Sequence, residues 1–504
     1  MRERITFVQK LGDSLEPSAV KVGDGTISGP EVHAVREDRL TIALDELPAE
    51  LQTLLEGTNE LHIRWVSPAA HEAVSPLLAR LPPGFHMLYT PGKEDDGASN
   101  TLCSTLAKIF GDISCSTVAE SFTSLPHDRY SHSAAVQYFE QLSSLSHFIR
   151  YAKEQLCPAG DASCSDRLDG LSGASSLDVS YDAVSRALRV TALWPYQRQP
   201  VHASSQPNVR TEVGILSSDR PKTLEPHEIG ISGLLTVLGQ DRKPSPTMFT
   251  FASRHRDAES TFSARFLSPT GLHPTLQLHL ASNKPPSSSS EDEDEDEDES
   301  CSPYAYLTLP KTIFSDKYQL SDPLFLASRN LSALRFTTQP VDLEAPAYVL
   351  SQWGSAVLVQ LAPPRSQSLE VWTAEIPLHL RYLTPTSGGY STIAVPYPAV
   401  FWACGPEEGR KFPKSPFEGG KLGYEGLFEE GTVFWHVEPR PVGGARVLVN
   451  EVKVPVLDLE KAGWVNVGTA AVVLLGFVWV VWKLIDVWRR EGYRNGEEEK
   501  KKKQ

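Results

Sequence analysis

The 504-residue sequence has no basic surplus: 48 Lys and Arg stand against 63 Asp and Glu, a formal charge of −15. Without a surplus of cations to displace counterions from phosphates, the composition argues against a nucleic-acid partner. Nine of the acids form one run, Glu291 to Glu299, so the remainder is only mildly acidic. Catalytic signatures are missing too. GxSxG, HExxH, P-loop and GxGxxG patterns do not occur in a usable context. Gly23-Asp24-Gly25 has no third glycine, and His71-Glu72 and His227-Glu228 have no second histidine. The Asp-x-Asp spacings of the acidic run follow automatically from alternating acids. The cysteines number only six, none in CxxC and none at zinc-site spacing from a histidine. No cofactor, metal site or intrinsic catalysis is therefore expected. The opening MRERITFVQKLGDSLEPS carries cations but no apolar stretch long enough for a cleavable signal peptide. Nor does any period repeat, which excludes a solenoid.

What is present is one long apolar segment. Ala462 to Trp482 runs without a charge between Lys461 and Lys483, with Trp464, Trp479 and Trp482 toward its ends. A helix of that length rises about 30 Å, enough to cross a bilayer core with its indoles at the interfaces. Residues 461–483 are expected to be a transmembrane helix. Lys and Arg are denser after it, at Lys483, Arg489, Arg490, Arg494 and Lys500 to Lys502, than before it. The positive-inside rule then puts the 484–504 tail in the cytosol and the N-terminal region in the lumen. Lys501 and Lys502, fourth and third from the end, read either as a dilysine retrieval signal of the endoplasmic reticulum or as a lipid-contacting basic tail. Asn330-Leu331-Ser332 is the single sequon, and a glycan at Asn330 would mark luminal exposure. Six cysteines in a luminal region allow up to three disulfides; in the cytosol they would be buried thiols.

The rest reads as mainly β. Ile5 and Phe7, then Leu40, Ile42 and Leu44, then Leu61, Ile63 and Trp65 alternate with period two between Gly, Pro and Asp. In the N-terminal region, 1–252, residues 131–156 recur at three- and four-residue steps and predict a helix, while 158–176 and 195–210 read as loops. Residues 283–300, NKPPSSSSEDEDEDEDES, cannot pack a core and read as a disordered acidic loop. Short strands at roughly ten-residue spacing follow, with Pro-rich turns, and predict a β-sandwich over 253–406. The juxtamembrane segment 407–460 is Gly/Pro-rich, then strand-like.

Several stretches in 253–406 resemble the PIG-X family. They are Gly271-Leu272-His273-Pro274, Cys301 with Leu309-Pro310, and Phe314 to Leu320 (FSDKYQL). Asp342 to Pro346 (DLEAP), Ile376 to Tyr382 (IPLHLRY) with Pro385, and Tyr397 to Cys404 (YPAVFWAC) continue the series in the same order. The layout with one C-terminal span and the opening Met1 to Lys10 is similar to fungal members.

The resemblance implies a non-catalytic endoplasmic reticulum membrane protein. Such proteins bind and stabilise PIG-M, the multi-spanning mannosyltransferase that uses dolichol-phosphate mannose to add the first mannose to the glycosylphosphatidylinositol precursor. A general luminal chaperone for membrane or secretory clients, protease maturation included, is the alternative. The resemblance also implies that Cys301 and Cys404 are bonded. The motif residues His273, Pro274, Asp316, Tyr318, Asp342, Glu344, Pro346, His379, Arg381 and Tyr382 then either preserve packing or form the surface a partner sees.

Overall fold

A computed structural model describes residues 1–13, 15–92, 98–126, 135–157, 160–206, 208–221, 224, 228–285, 301–338, 342–364, 371–405, 415–417 and 422–491. The acidic run 291–299 and the dilysine Lys501 and Lys502 lie outside them. The described chain is mostly strand. Two large sheets account for it. The first, of twelve strands, lies wholly before residue 253; the second, of eight, is drawn from 255–439. The boundary expected at 252 thus falls between the sheets, and the strand Val433–Pro439 lies inside the second one, between Ala399–Cys404 and His255–Phe266.

The sheets face each other over one core. Leu61, Ile63, Trp65, Phe85, Met87 and Tyr138 of the first sheet enter it with Tyr304, Tyr306, Leu358, Phe401 and Phe434 of the second. Each such fully buried side chain contributes roughly 1.5–3 kcal/mol. Polar pins cross the same interface. The Trp353 indole donates to the Gln137 carbonyl at 3.1 Å, and the Gln137 amide donates to the Tyr306 hydroxyl at 2.9 Å. Burial pushes that hydroxyl up to about 12, so it stays a neutral partner throughout the physiological range.

The second sheet is buried on both faces. Tyr304 and Tyr306 point into the shared core, yet Ala305, Leu307 and Leu309, on the alternate positions of the same strand, are equally hidden. Period-two alternation requires a second apolar layer on the other side. The sheet supplies it by curling until its first and last strands, Leu331–Thr337 and Trp372–Pro377, meet at one end. There the Glu375 amide donates to the Arg329 carbonyl at 3.0 Å, and Arg329 pairs with the Glu375 carboxylate.

Three expectations for the N-terminal region are corrected. Among the described residues of 131–156, only Ser146–Leu156 is helical; Val136–Glu140 is a strand whose Tyr138 and Phe139 are both buried. β-branched and aromatic residues between two sheets favour the extended form there over the helical spacing. Within 158–176, Asp161 caps a helix, Ala162–Asp169, by accepting the Cys164 amide at 3.0 Å. Finally, 195–204 is not a loop but the second half of the 18-residue strand Ala187–Ser204. Its Pro195 sits where the register with Thr26–Ala43 shifts, between the pairs Ala34–Gln197 and Arg36–Trp194. At such a bulge proline's missing N–H costs no ladder bond.

Residues 382–393 and the described part of 453–504 form a separate compact unit. Within it the Thr386 amide bonds to the Leu457 carbonyl, and the helix Ala462–Glu491 follows. That helix runs beyond 483, reaches a mean hydropathy of 2.1 over its most apolar 18 residues, and exposes Val472, Leu475 and Phe477. Among the described residues it is the one helix long and apolar enough to cross a membrane, consistent with single-pass topology.

Candidate functional site

Six motif stretches that are scattered in sequence converge on the second sheet. Cys301 and Cys404 lie directly opposite each other on neighbouring antiparallel strands and are bonded, with Cα atoms 4.0 Å apart. The other cysteines pair as Cys103–Cys115 and Cys157–Cys164. Near the other motifs a two-stranded ladder pairs Ile313–Phe314 with His379–Leu380. The segment before the Thr275–Leu280 strand joins this cluster, because the Leu380 amide bonds to the Leu272 carbonyl and the Leu378 amide to the Pro274 carbonyl.

That pairing sets His273 against His379, with Nδ1 atoms 3.1 Å apart and rings edge-to-face. His379 is held by the Gln319 amide oxygen at 3.0 Å from Nε2 and stacks on Phe314. Burial, then the neighbouring His273, pushes His379 below the ordinary imidazole value. Arg381 is buried, lies over the Phe314 ring 4.3 Å from its centroid, and donates from Nη1 to the Ala345 carbonyl at 2.8 Å. It therefore ties the Asp342 to Pro346 turn to the ladder.

The acidic motif residues act on their own turns. Asp316 accepts the Tyr318 amide at 2.8 Å. Asp342 accepts the Glu344 and Ala345 amides at 2.9 and 3.0 Å, and those bonds hold its carboxyl below the usual range. Glu344 lends its backbone N–H to that turn, and the Pro346 carbonyl closes the next one on the Val349 amide. Around this frame the Tyr318 and Tyr348 rings stand 66% and 61% exposed, beside exposed Leu272 and Val349. Tyr382 is also exposed and belongs to the other unit. Among the described residues no cluster of three or more His, Cys, Asp or Glu has metal-holding geometry.

Asn330 has a structural part that the sequon did not reveal. It occupies the left-handed region, φ 55°, between a short helix and the edge strand. Its side-chain Nδ2 donates to the Thr373 carbonyl at 2.7 Å, and its carbonyl accepts the Ala362 amide. The residue thus stitches the seam where the curled sheet meets itself. Asparagine tolerates this backbone better than other non-glycine residues. Asn330→Ala is expected to destabilise the protein by about 2 kcal/mol, combining a lost hydrogen bond with left-handed strain. Asn330→Gly should recover part of that loss, as thermal unfolding of both variants will show.

A buried chain of titratable groups also went unread in the sequence. Glu425 Oε1 lies 2.8 Å from His255 Nε2, and His255 Nδ1 lies 2.9 Å from His436 Nε2. His255 and His436 are both buried, against Phe401 and Phe434. Burial raises the Glu425 carboxyl, but the His255 bond and Arg254 outweigh it and leave the group below its usual value. Burial and then His255, Arg80 and Arg64 hold His436 well below its own, and His436 Nδ1 has no partner among the described residues. Neutral His436 donating to His255, which donates to Glu425, satisfies every contact in the chain.

With this geometry in place, comparison with known proteins identifies the family. A family model described as PIG-X / PBN1 matches residues 269–485. The chain is 61% identical to Protein pbn1 of Neurospora crassa, over 98% of this chain and 97% of the relative. It is 48% identical to Protein PBN1 of Gibberella zeae, over 97% and 96% respectively. Protein pbn1 of Emericella nidulans is 40% identical over 98% and 97%. Similarity thus runs through the N-terminal sheet as well as the motif-bearing one, and the chain belongs to the PIG-X/PBN1 family.

Proposed function

We propose that this chain is a non-catalytic subunit that stabilises the endoplasmic reticulum mannosyltransferase adding the first mannose to the glycosylphosphatidylinositol precursor. Its partner is a multi-spanning PIG-M-like enzyme, and the large β-body faces the lumen with the basic tail in the cytosol. Family membership over nearly the whole length supports this role in anchor biosynthesis. The observation that carries the accessory reading is how the motif side chains are used. Asp316, Asp342 and Arg381 bond the protein's own backbone. They fix the shape of a surface that presents Tyr318 and Tyr348, the residue type enriched where proteins meet.

Depleting the chain should lower the abundance of the mannosyltransferase, and purification from mild-detergent membranes should co-enrich it. Tyr318→Ser/Tyr348→Ser should reduce co-enrichment at least about tenfold, the loss expected from removing two interface anchors, while leaving the chain folded. Unchanged mannosyltransferase levels, with a spread of unrelated luminal clients recovered, would sink the subunit reading in favour of a general chaperone.

A further inference from the structure

A groove of about 860 Å³ is lined by residues of both sheets, none of them from the motif cluster. Its floor comes from the second sheet, where Trp435 and Arg256 are register partners on adjacent parallel strands. Phe434 enters the shared core, so by strand alternation Trp435 faces the opposite side. One wall is Asp219 at the end of the Arg210–Asp219 strand, and Glu72 and Lys10 stand at the rim.

Two of these groups are unused. The Trp435 indole N–H and the Asp219 carboxylate make no hydrogen bond among the described residues. The others are held in place: Lys10 pairs with Glu72 at 2.6 Å, Arg256 donates to the Glu228 carbonyl at 3.0 Å, and Asp257 accepts the Glu259 amide. The groove therefore offers an aromatic face, an indole donor and a free carboxylate on a rigid frame.

That combination narrows the ligand. Acids and bases nearly balance along the lining, so a polyanion gains no net attraction. The charged lining disfavours an acyl chain. A peptide added as a strand needs a free sheet edge. Both Val433–Pro439 and Arg210–Asp219 are paired on both sides. An uncharged, hydroxyl-rich ring fits: its C–H face packs on the indole, and its hydroxyls donate to a carboxylate and accept from the indole N–H. We propose that this groove is a carbohydrate-binding site of two to three sugar rings, a size set by the roughly 300–1,000 Å³ of ordinary ligand clefts.

The test uses the full chain in a polyoxyethylene detergent, whose head group carries no sugar. α-1,2-Mannobiose and N,N′-diacetylchitobiose are titrated by calorimetry and saturation-transfer NMR. At least one should bind saturably below about 10 mM, and Trp435→Leu and Asp219→Asn should each weaken it by about tenfold or more. Asp219→Asn keeps the shape of the side chain, so it decides the matter even where Trp435→Leu unfolds. Absence of saturable binding by both disaccharides overturns the proposal. So does binding that Asp219→Asn leaves unchanged, or that inorganic sulfate displaces.

Discussion

Replacing Cys301 and Cys404 with serine is expected to destabilise the protein by roughly 4–5 kcal/mol, the loop-entropy value for a closure of about a hundred residues. The bond closes a 103-residue separation between adjacent strands at the centre of the second sheet. The enclosed segment carries the motif turns, the seam at Asn330 and both edges of the curled sheet. Opening the bond therefore frees the part of the unfolded chain with the most non-local pairing to recover. By the same arithmetic the 12- and 7-residue closures at Cys103–Cys115 and Cys157–Cys164 constrain far less chain. Thermal unfolding of the two-serine variant, against serine variants of the other pairs, should rank Cys301–Cys404 as the costliest loss. An equal effect from all three would remove loop length as the cause. Residual structure in the unfolded state would then have to carry the difference.

The strands at Leu61, Ile63 and Trp65, and the apolar helix after Lys461, were legible because their periods belong to one face or one solvent. The mainly β class followed from the same alternation. Less legible was anything set by a second layer. Ala305 and Leu307 continue an apolar run that any buried strand would show, and only closure of the sheet explains it. Pro195 spoke for a loop until its bulge partner 160 residues earlier was known. The motif stretches were visible one at a time. What joins His273 to His379, and Arg381 to Ala345, is ladder register, which no local spacing encodes. The Glu425–His255–His436 chain was hidden for the same reason: its two histidines are 181 residues apart, on neighbouring parallel strands.

That chain and a third buried histidine predict a steep acid sensitivity. Burial holds His86 at about 4, although its Nε2 bonds the Pro82 carbonyl, and His436 is also held well below its ordinary value. In each case the unfolded state takes up a proton below about pH 6.5 that the folded state refuses. The unfolded form then binds more protons, so stability falls as pH drops through that window and is fully retained above it. Each group contributes about 1.4 kcal/mol per pH unit between its unfolded and folded values. For His86 the loss reaches roughly 3 kcal/mol by pH 4. Glu425 acts in the same direction but lower: its depressed carboxyl adds stability above the ordinary glutamate value, lost as pH falls through the folded one. Thermal midpoints of the β-body in the full chain should therefore be flat from pH 8 to about 6.5 and fall steeply below it. His86→Gln preserves a hydrogen-bond donor but cannot ionise, so it should flatten the acid limb by about 1.4 kcal/mol per pH unit while costing about 1 kcal/mol near neutrality. An acid limb of unchanged slope in that variant would show that His86 is solvated enough to ionise in place. The steepness would then have to come from His436 and the carboxylates alone.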